Sequence, residues 1–199
     1  EGDMPGVAFV LSNRGTILNR QGKHTQGLAL MEQAERVYRE LEDKRMVAMC
    51  LGNRSLMSRQ LRRFADAEVY VKECEELSRE LGDRVMLAKN LMNTGIMYVE
   101  LTRYDEAARV LREAEPMFEA QVNPRLRAVC IENLAYIAGM QGHLEPALAG
   151  LEQAAALCAG PEGGETLAGI QAAQAEVLLK FGRSLDALEK AKAAVEFWK

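Results

Sequence analysis

Histidine and cysteine, which serve catalysis and metal binding in many proteins, are scarce in this sequence. The two histidines, His24 and His143, lie far apart, and both are predicted to occupy turns. The four cysteines are Cys50, Cys74, Cys130 and Cys158. They include no C-x-x-C spacing, so the sequence supports neither a zinc site nor a redox pair. Because unpaired thiols are typical of a reducing compartment, the chain is predicted to be cytoplasmic, with no metal and no cofactor.

Three further signatures of functional classes are absent. No apolar run approaches the ~18 residues of a membrane-spanning helix. The net charge of −4 argues against nucleic-acid binding, which needs a basic surface. Segment 160–166 contains glycines but lacks the Gly-Lys-Ser/Thr ending of a phosphate-binding loop, and is predicted to be a linker. We therefore expect neither a membrane nor a nucleic acid as partner, and no catalytic activity.

What the sequence does contain is a period of 40 residues. Alanine recurs at this spacing at Ala8, Ala48, Ala88, Ala128 and Ala168. Asparagine recurs at Asn13, Asn53, Asn93 and Asn133. Small residues recur at Gly27, Ala67, Ala107, Ala147 and Ala187, and large apolar ones at Leu11, Leu51, Leu91 and Ile131. A fixed period of this length indicates stacked helical hairpins, with two helices in each repeat.

The recurring positions predict how the hairpins pack. Small residues let neighbouring helix axes approach to ~8–10 Å, and a hairpin that cannot bury its apolar stripe alone needs the next one. The predicted helix pairs cover residues 7–21 and 25–41, 46–61 and 65–81, 86–101 and 105–121, 125–141 and 145–158, and 166–181 and 185–198. Residues 1–6 are expected to be a lead-in or a cloning remnant. Residues 7–199 are expected to form a single domain, with repeats at about 7–45, 46–85, 86–124, 125–164 and 165–199.

The third repeat shows a further resemblance. Its first helix carries Leu91 followed by the small Gly95, and its second helix carries two small residues seven apart, Ala107 and Ala114. This pattern resembles the tetratricopeptide repeat family, in particular its longer-repeat arrays in kinesin light chains and in bacterial signal-transducing ATPases and transcription regulators. The resemblance implies an all-α, right-handed solenoid of five helix-turn-helix repeats. The position before the small residue, usually Leu in the family, departs from this pattern at Arg14, Arg54, Thr94 and Gln174.

The resemblance also implies that the first helix of each repeat lines a concave groove. The asparagine column falls on this face, although Asn costs a helix several tenths of a kcal/mol relative to Ala. The side-chain amide both donates and accepts hydrogen bonds, so it can pair with the backbone of an extended peptide. Members of this long-repeat type use a similar asparagine ladder to hold peptide backbone. The alternative is that each Asn bonds to a neighbouring repeat and stabilises the stack.

Other groove positions complete the predicted peptide-binding site. Basic residues lie in the first three copies and acidic ones in the last three, with Lys180 as an exception; the alternative is a solvated face without such order. Arg20 and Arg59 are predicted to meet acidic groups of a peptide, and Met92, Ile96 and Tyr136 to supply apolar pockets. The site is predicted to comprise Asn13, Asn53, Asn93, Asn133, Arg20, Arg59, Met49, Met92, Ile96, Tyr136 and Glu132.

These features favour a non-catalytic scaffold that binds a peptide segment of a partner protein in its concave groove. The alternative is a sensor or oligomerisation segment of a larger regulator, such as a signalling ATPase or a transcription regulator. The chain ends with Phe197, Trp198 and Lys199. Because a solenoid needs a solvated end, these aromatic residues raise the possibility of self-association through the C-terminal helix.

Overall fold

The computed structural model describes residues 3–120, 123–159 and 163–196. Within these ranges the chain is all-α, with ten helices and no strand, which confirms the predicted fold class. The helices are α1 (Met4–Arg20), α2 (His24–Glu40), α3 (Lys44–Gln60), α4 (Phe64–Glu80), α5 (Arg84–Glu100), α6 (Tyr104–Ala120), α7 (Pro124–Met140), α8 (Leu144–Leu157), α9 (Gly164–Lys180) and α10 (Ser184–Glu196). None of these described helices is long and apolar enough to span a membrane.

The helices follow one another at a constant step. Each begins 20 residues after the preceding one, from Met4 to Ser184, so one hairpin occupies the predicted 40 residues. α1 begins at Met4, three residues before the predicted start of the first helix. The Asp3 carboxylate caps this helix by accepting a hydrogen bond from the Gly6 N–H at 2.9 Å.

The turns repeat as regularly as the helices. One residue in each described turn adopts a positive φ, at Gly22, Glu42, Arg62, Gly82, Thr102, Gly142 and Gly182. The glycines predicted at helix C-termini thus occupy the left-handed position, where a side chain is disfavoured. The next position caps the following helix in three turns: Asp43, Asp83 and Asn123 accept from backbone N–H groups of α3, α5 and α7. His143 precedes α8, as predicted for a turn residue, whereas His24 is the first residue of α2.

The chain divides into two compact units, one up to Met97 and one from Tyr98 onward. In the first unit, α2 packs against both α1 and α3. A side chain at Gly15 would lie 3.1 Å from the Gly27 carbonyl oxygen, and one at Gly27 would lie 2.9 Å from the Gly15 carbonyl oxygen. The small residues therefore permit close helix approach. The core cluster around them consists of Ala8, Met31, Ala34, Tyr38, Val47, Ala48, Cys50, Leu51, Met57 and Cys74.

The second unit uses the same packing. A side chain at Gly139 of α7 would lie 2.6 Å from a methyl group of Val177 in α9. One cluster of its core consists of Ala128, Ile131, Ala135, Ala147, Leu151, Ala154, Cys158, Ile170 and Val177. All four cysteines of the chain are free and buried. Burial raises the pKa of Cys50 and of Cys130 to about 12, so these thiols are packing residues and not nucleophiles.

Candidate functional site

A cavity of about 460 Å³ lies between α3 and α5 in the first unit. The α3 wall includes Met49, Asn53 and Leu56, and the α5 wall includes Met86, Lys89 and Asn93. The structure therefore brings three of the predicted site residues, Met49, Asn53 and Asn93, to one surface. The cavity joins apolar side chains to amide groups, a combination that can hold a peptide side chain and its adjoining backbone.

Two of the four asparagine side chains in the column are hydrogen-bonded within their own helices. The Asn53 amide donates to the Met49 carbonyl oxygen at 3.0 Å, and the Asn133 amide donates to the Val129 carbonyl oxygen at 2.8 Å. Each bond joins residues four apart in one helix, so neither links one repeat to the next. The Asn13 and Asn93 side chains form no hydrogen bond with the described residues. The second N–H and the carbonyl oxygen of Asn53 are likewise unused within that part of the chain.

Asn90 is a further polar residue of the cavity wall, and sequence reasoning missed it. Its side chain is buried, and its amide donates to the Val71 carbonyl oxygen at 2.9 Å, which ties α5 to α4. The Asn90 side-chain oxygen has no hydrogen-bond partner in the part of the chain that the structure describes. The sequence does single out Asn90, because the residues at the same position of the other repeats are Val10, Cys50, Cys130 and Ile170.

Most of the charged side chains in the cavity wall are basic. Arg45 pairs with Asp83 at 3.4 Å, which neutralises the one carboxylate in the cavity wall. Lys89 is exposed and forms no ion pair with any described residue, so its ammonium group can meet an anionic group of a ligand. Arg59 lies beside Asn93 in a smaller adjoining space. Arg20 is exposed at the end of α1, outside the residues that line the cavity.

The predicted apolar residues of α5 differ in accessibility. Met92 is only 8% exposed, so most of its side chain packs inside the first unit and little of it can touch a ligand. Ile96 is half-buried. The cavity walls instead use Met86 and Leu56, together with the predicted Met49. A helical period indicates which residues share a face, but it does not give the depth of each one.

The second unit places Glu132, Asn133 and Tyr136 on α7. Glu132 is half-buried and forms neither an ion pair nor a hydrogen bond within the described ranges, and burial raises its pKa to about 7. Burial and the neighbouring Glu176 raise the pKa of Tyr136 to about 12. A side chain at Gly169 of α9 would lie 3.5 Å from a Glu132 carboxylate oxygen, so the absence of one gives the carboxylate room.

Lys180 explains the exception in the predicted charge order. Its ammonium group donates to the Met140 carbonyl oxygen at the end of α7. The last carbonyl groups of a helix lack partners within the helix and carry partial negative charge, so a cation is stabilising there. Lys180 therefore donates a hydrogen bond to a helix terminus, where a cation is stabilising.

The described residues contain no group of three or more His, Cys, Asp or Glu side chains that could hold a metal ion. The site residues brought together are amides, thioethers and isolated charges. Such groups can bind and orient a peptide through hydrogen bonds and apolar contact.

Comparison of the sequence with models of protein families finds a match to one family. A tetratricopeptide repeat model matches residues 6–80, which span the first two hairpins. No curated protein is significantly similar in sequence to the chain. The predicted resemblance to tetratricopeptide repeat proteins is thus confirmed by the residues of α1 to α4, and the structural comparisons extend it.

Solved structures share the fold along almost the whole chain. A Rap protein complexed with competence and sporulation factor matches with a TM-score of 0.81 and 14% identity, over 96% of this chain and 55% of that one. NprR in complex with its cognate peptide NprX matches with a TM-score of 0.77 and 16% identity, over 98% of this chain and 57% of that one. A putative kinesin light chain from Podosopora anserina with nearly identical TPR-like repeats matches with a TM-score of 0.70 and 13% identity, over 95% of this chain and 93% of that one. At these identities the likeness is one of fold, and this chain spans little more than half of the first two proteins.

Proposed function

We propose that this chain, whose fold is that of tetratricopeptide repeat proteins, is a non-catalytic interaction module that binds an extended peptide segment of a partner protein. The binding surface is the cavity between α3 and α5 of the first unit. The observation that carries the proposal is this cavity of about 460 Å³, whose walls hold the amides of Asn53 and Asn93 beside apolar side chains.

The amides suit peptide backbone. A peptide in extended conformation presents one N–H and one C=O per residue, and an Asn side chain can bond to both kinds of group whatever the peptide's sequence. The hydrogen bond from Asn53 to Met49 uses one N–H and orients the rest of the amide. Helix axes about 10 Å apart and an extended rise of about 3.3 Å per residue place about three peptide residues between adjacent first helices.

The other cavity residues predict which peptide side chains would bind there. Met49, Leu56 and Met86 suit an apolar side chain, and thioethers adapt to different shapes. The uncompensated ammonium group of Lys89 suits a carboxylate next to it. Arg20 and Arg59 would add positive charge for acidic residues of the same peptide.

The second unit contributes a different chemistry to the proposal. Glu132 lacks an ion-pair partner in the described ranges, and desolvation disfavours its charged form. A cationic group of the ligand would remove this cost, while Tyr136 and Asn133 of the same helix supply apolar contact and an amide. We therefore propose that these α7 side chains can bind a cationic group of a ligand.

Two of the structural neighbours support peptide as the ligand class, since the Rap protein and NprR were each solved with a factor or peptide bound. The net charge of −4 leaves a protein or peptide as a more suitable partner than a nucleic acid. Reduced, buried thiols are consistent with a cytoplasmic location, and the binding mode needs no cofactor.

The test is a peptide-array screen followed by calorimetry with the selected peptide. The double variant Asn53→Ala/Asn93→Ala should weaken binding by about tenfold or more, since each lost hydrogen bond contributes about 0.5–1.5 kcal/mol. The matched control is Gln26→Ala/Gln33→Ala, which removes two exposed amides from α2. Equal loss in both double variants, or no loss in the first, would contradict recognition at the cavity.

A second comparison tests the preference for acidic peptides. Lys89→Glu should weaken binding of peptides with a carboxylate near the cavity and should have little effect on neutral ones. Lys72→Glu, an equal charge change at an exposed position of α4, is the control. If both charge changes weaken binding equally, the effect comes from the net charge of the protein and not from Lys89.

A further inference from the structure

A further cavity, of about 490 Å³, lies among α6, α7 and α8 of the second unit. Helix α7 lines it with small and apolar side chains, and α6 and α8 add charged and polar ones. The residues that the argument below uses are Arg112, Glu115, Arg127, Leu134, Ala138 and Gly150. The cavity shares no residue with the one between α3 and α5. Its volume lies within the range of ligand sites, which is ~300–1,000 Å³.

The repeat shows which side chains fill the same place in the first unit. Two periods before Leu134 and Gly150 the chain has Arg54 and Tyr70. The Arg54 guanidinium lies 4.2 Å from the centre of the Tyr70 ring, and the Arg54 side chain is only 13% exposed. In the second unit Leu134 is shorter and Gly150 has no side chain. The cavity therefore lies where the first unit has an aromatic ring and a cation.

Gly150 keeps this space open. At the same position the other second helices carry larger residues, namely Leu30, Tyr70, Val110 and Lys190. A Cβ at Gly150 would lie 2.7 Å from the Cβ of Ala135, so α8 approaches α7 more closely than a larger residue would allow. Because α8 cannot supply a ring at this position, a ring in the cavity would have to come from a ligand.

Glu115 of α6 has lost one of the partners that its counterpart has. Two periods earlier, the Glu35 carboxylate accepts a hydrogen bond from Arg54 at 2.5 Å. Glu115 pairs with Arg127 of α7 at 2.5 Å. The residue that corresponds to Arg54 is Leu134, which cannot donate. The Glu115 carboxylate therefore has acceptor capacity for a donor group of a ligand.

Arg112 of α6 supplies a positive charge at the cavity. Its side chain is exposed, and it forms neither an ion pair nor a hydrogen bond with the residues that the structure describes. Two periods earlier the residue is Glu32, which pairs with Arg36 on its own helix. The sign of the charge is thus reversed between the two units. A guanidinium suits a carboxylate, which it can bind through two parallel N–H groups.

We propose that this cavity binds an aromatic side chain of a partner protein, at the place where the first unit has its own Tyr70. The ring lies against Leu134, and its hydroxyl group donates to the Glu115 carboxylate in place of Arg54. A carboxylate from a residue next to the aromatic one binds Arg112. The preferred ligand is thus a tyrosine flanked by acidic residues. This site is independent of the peptide site between α3 and α5, so either proposal can fail alone.

The probe is a pentapeptide blocked at both ends, with a central tyrosine and a glutamate on each side of it. It is titrated into the whole isotope-labelled chain, and amide shifts followed by NMR should change at Gly150 and Ala138. Three matched peptides remove one group each. Alanine at the centre removes the ring and should weaken binding by about tenfold or more. Phenylalanine removes the hydroxyl group, glutamines remove the charges, and each should weaken binding by about threefold.

Variants of the protein test the two ends of the cavity. Arg112→Ala should weaken binding of the glutamate peptide by about threefold and leave binding of the glutamine peptide unchanged. Arg109→Ala, at an exposed arginine of α6 outside the cavity lining, is the control and should change neither. Leu134→Arg restores the residue of the first unit, which would fill the cavity and pair with Glu115. This variant should weaken binding of the tyrosine peptide by about tenfold or more. Circular dichroism checks its fold, and the Arg112 comparison decides if it unfolds.

Several outcomes would overturn the proposal. They are equal binding of the tyrosine and alanine peptides, equal effects of Arg112→Ala and Arg109→Ala, and unchanged binding to a folded Leu134→Arg variant. Shifts confined to α3 and α5 would place the peptide at the other cavity. Tighter binding of free N-acetyltyrosine than of the pentapeptide would also overturn it, because the occupant would then be a small aromatic acid and not a protein segment.

Discussion

Arg54 of α3 and Glu35 of α2 form a buried ion pair at 2.5 Å between two adjacent repeats. The Arg54 guanidinium also donates to the Tyr70 hydroxyl at 2.8 Å and lies 4.2 Å from the centre of the Tyr70 ring. Arg39 makes a second bond to Glu35 at 2.8 Å. This network occupies the position at which a leucine was expected from the family resemblance, so a charged side chain here takes the place of an apolar contact.

The pair predicts an asymmetric response to mutation. Glu35→Gln leaves the Arg54 guanidinium buried without its counter-charge, and should lower the free energy of unfolding by about 3 kcal/mol. Arg54→Leu combined with Glu35→Met replaces both charges with apolar groups and should cost much less. Urea unfolding followed by circular dichroism measures both. If the double variant were less stable than Glu35→Gln, the attraction between Arg54 and Glu35 would exceed the cost of removing both charges from water.

Glu132 predicts a pH dependence of stability. Its pKa is about 7 in the folded chain and about 4.5 when exposed, so the folded state holds the proton more tightly. Stability is therefore lost as the pH rises from 4.5 to 7, because the unfolded chain releases the proton first. Glu132→Gln should remove this contribution, on the order of 3 kcal/mol for a shift from 4.5 to about 7. Urea titrations at pH 5 and pH 7.5 measure the difference, with the exposed Glu152→Gln as control.

The turns allow a matched pair of substitutions. Thr102 has a φ of 57° and Gly82, at the same position one turn earlier, has a φ of 64°. A left-handed backbone costs a β-branched residue about 1–2 kcal/mol, so Thr102→Gly should raise the free energy of unfolding by about 0.5–1 kcal/mol after the added chain entropy. Gly82→Ala should lower it by about 1 kcal/mol. If both substitutions changed the free energy of unfolding in the same direction, backbone strain would not explain their effects.

The sequence predicted the helices well because the information is periodic. Small residues, apolar columns and turn residues all repeat every 40 positions, so each helix boundary is indicated several times over. The left-handed conformation of Thr102 and Arg62 was not predictable, since only glycine signals it directly. The division after Met97 falls inside α5 and is marked by no change in composition.

The candidate site was predictable only in part, for a related reason. A period identifies residues that share a face, and so it indicated Asn53 and Asn93 together. It does not give depth, and Met92, on the same face, is buried. Asn90 belongs to a column of apolar residues, and only the packed structure shows that its amide reaches the Val71 carbonyl oxygen of α4.

Gly139 and Val177 provide the strictest test of the packing between repeats. A Cβ at position 139 would lie 2.6 Å from a Val177 methyl group, well inside van der Waals contact. Gly139→Ala should therefore lower the free energy of unfolding by about 1–3 kcal/mol through overpacking. Gly169→Ala, where a Cβ would make only an ordinary contact at 3.5 Å, is the control and should raise the free energy of unfolding by about 0.5–1 kcal/mol, because Ala favours a helix interior more than Gly does.

The same contact predicts rescue. Val177→Ala alone leaves a cavity beside Gly139 and should cost about 2 kcal/mol. In the double variant Gly139→Ala/Val177→Ala the added methyl group enters that space, so the total cost should fall below the sum of the single costs by about 1 kcal/mol. Thermal and urea unfolding of the four proteins gives the coupling. Additive costs would mean that α7 and α9 shift apart to relieve the clash, and that the small residue at Gly139 does not set their distance.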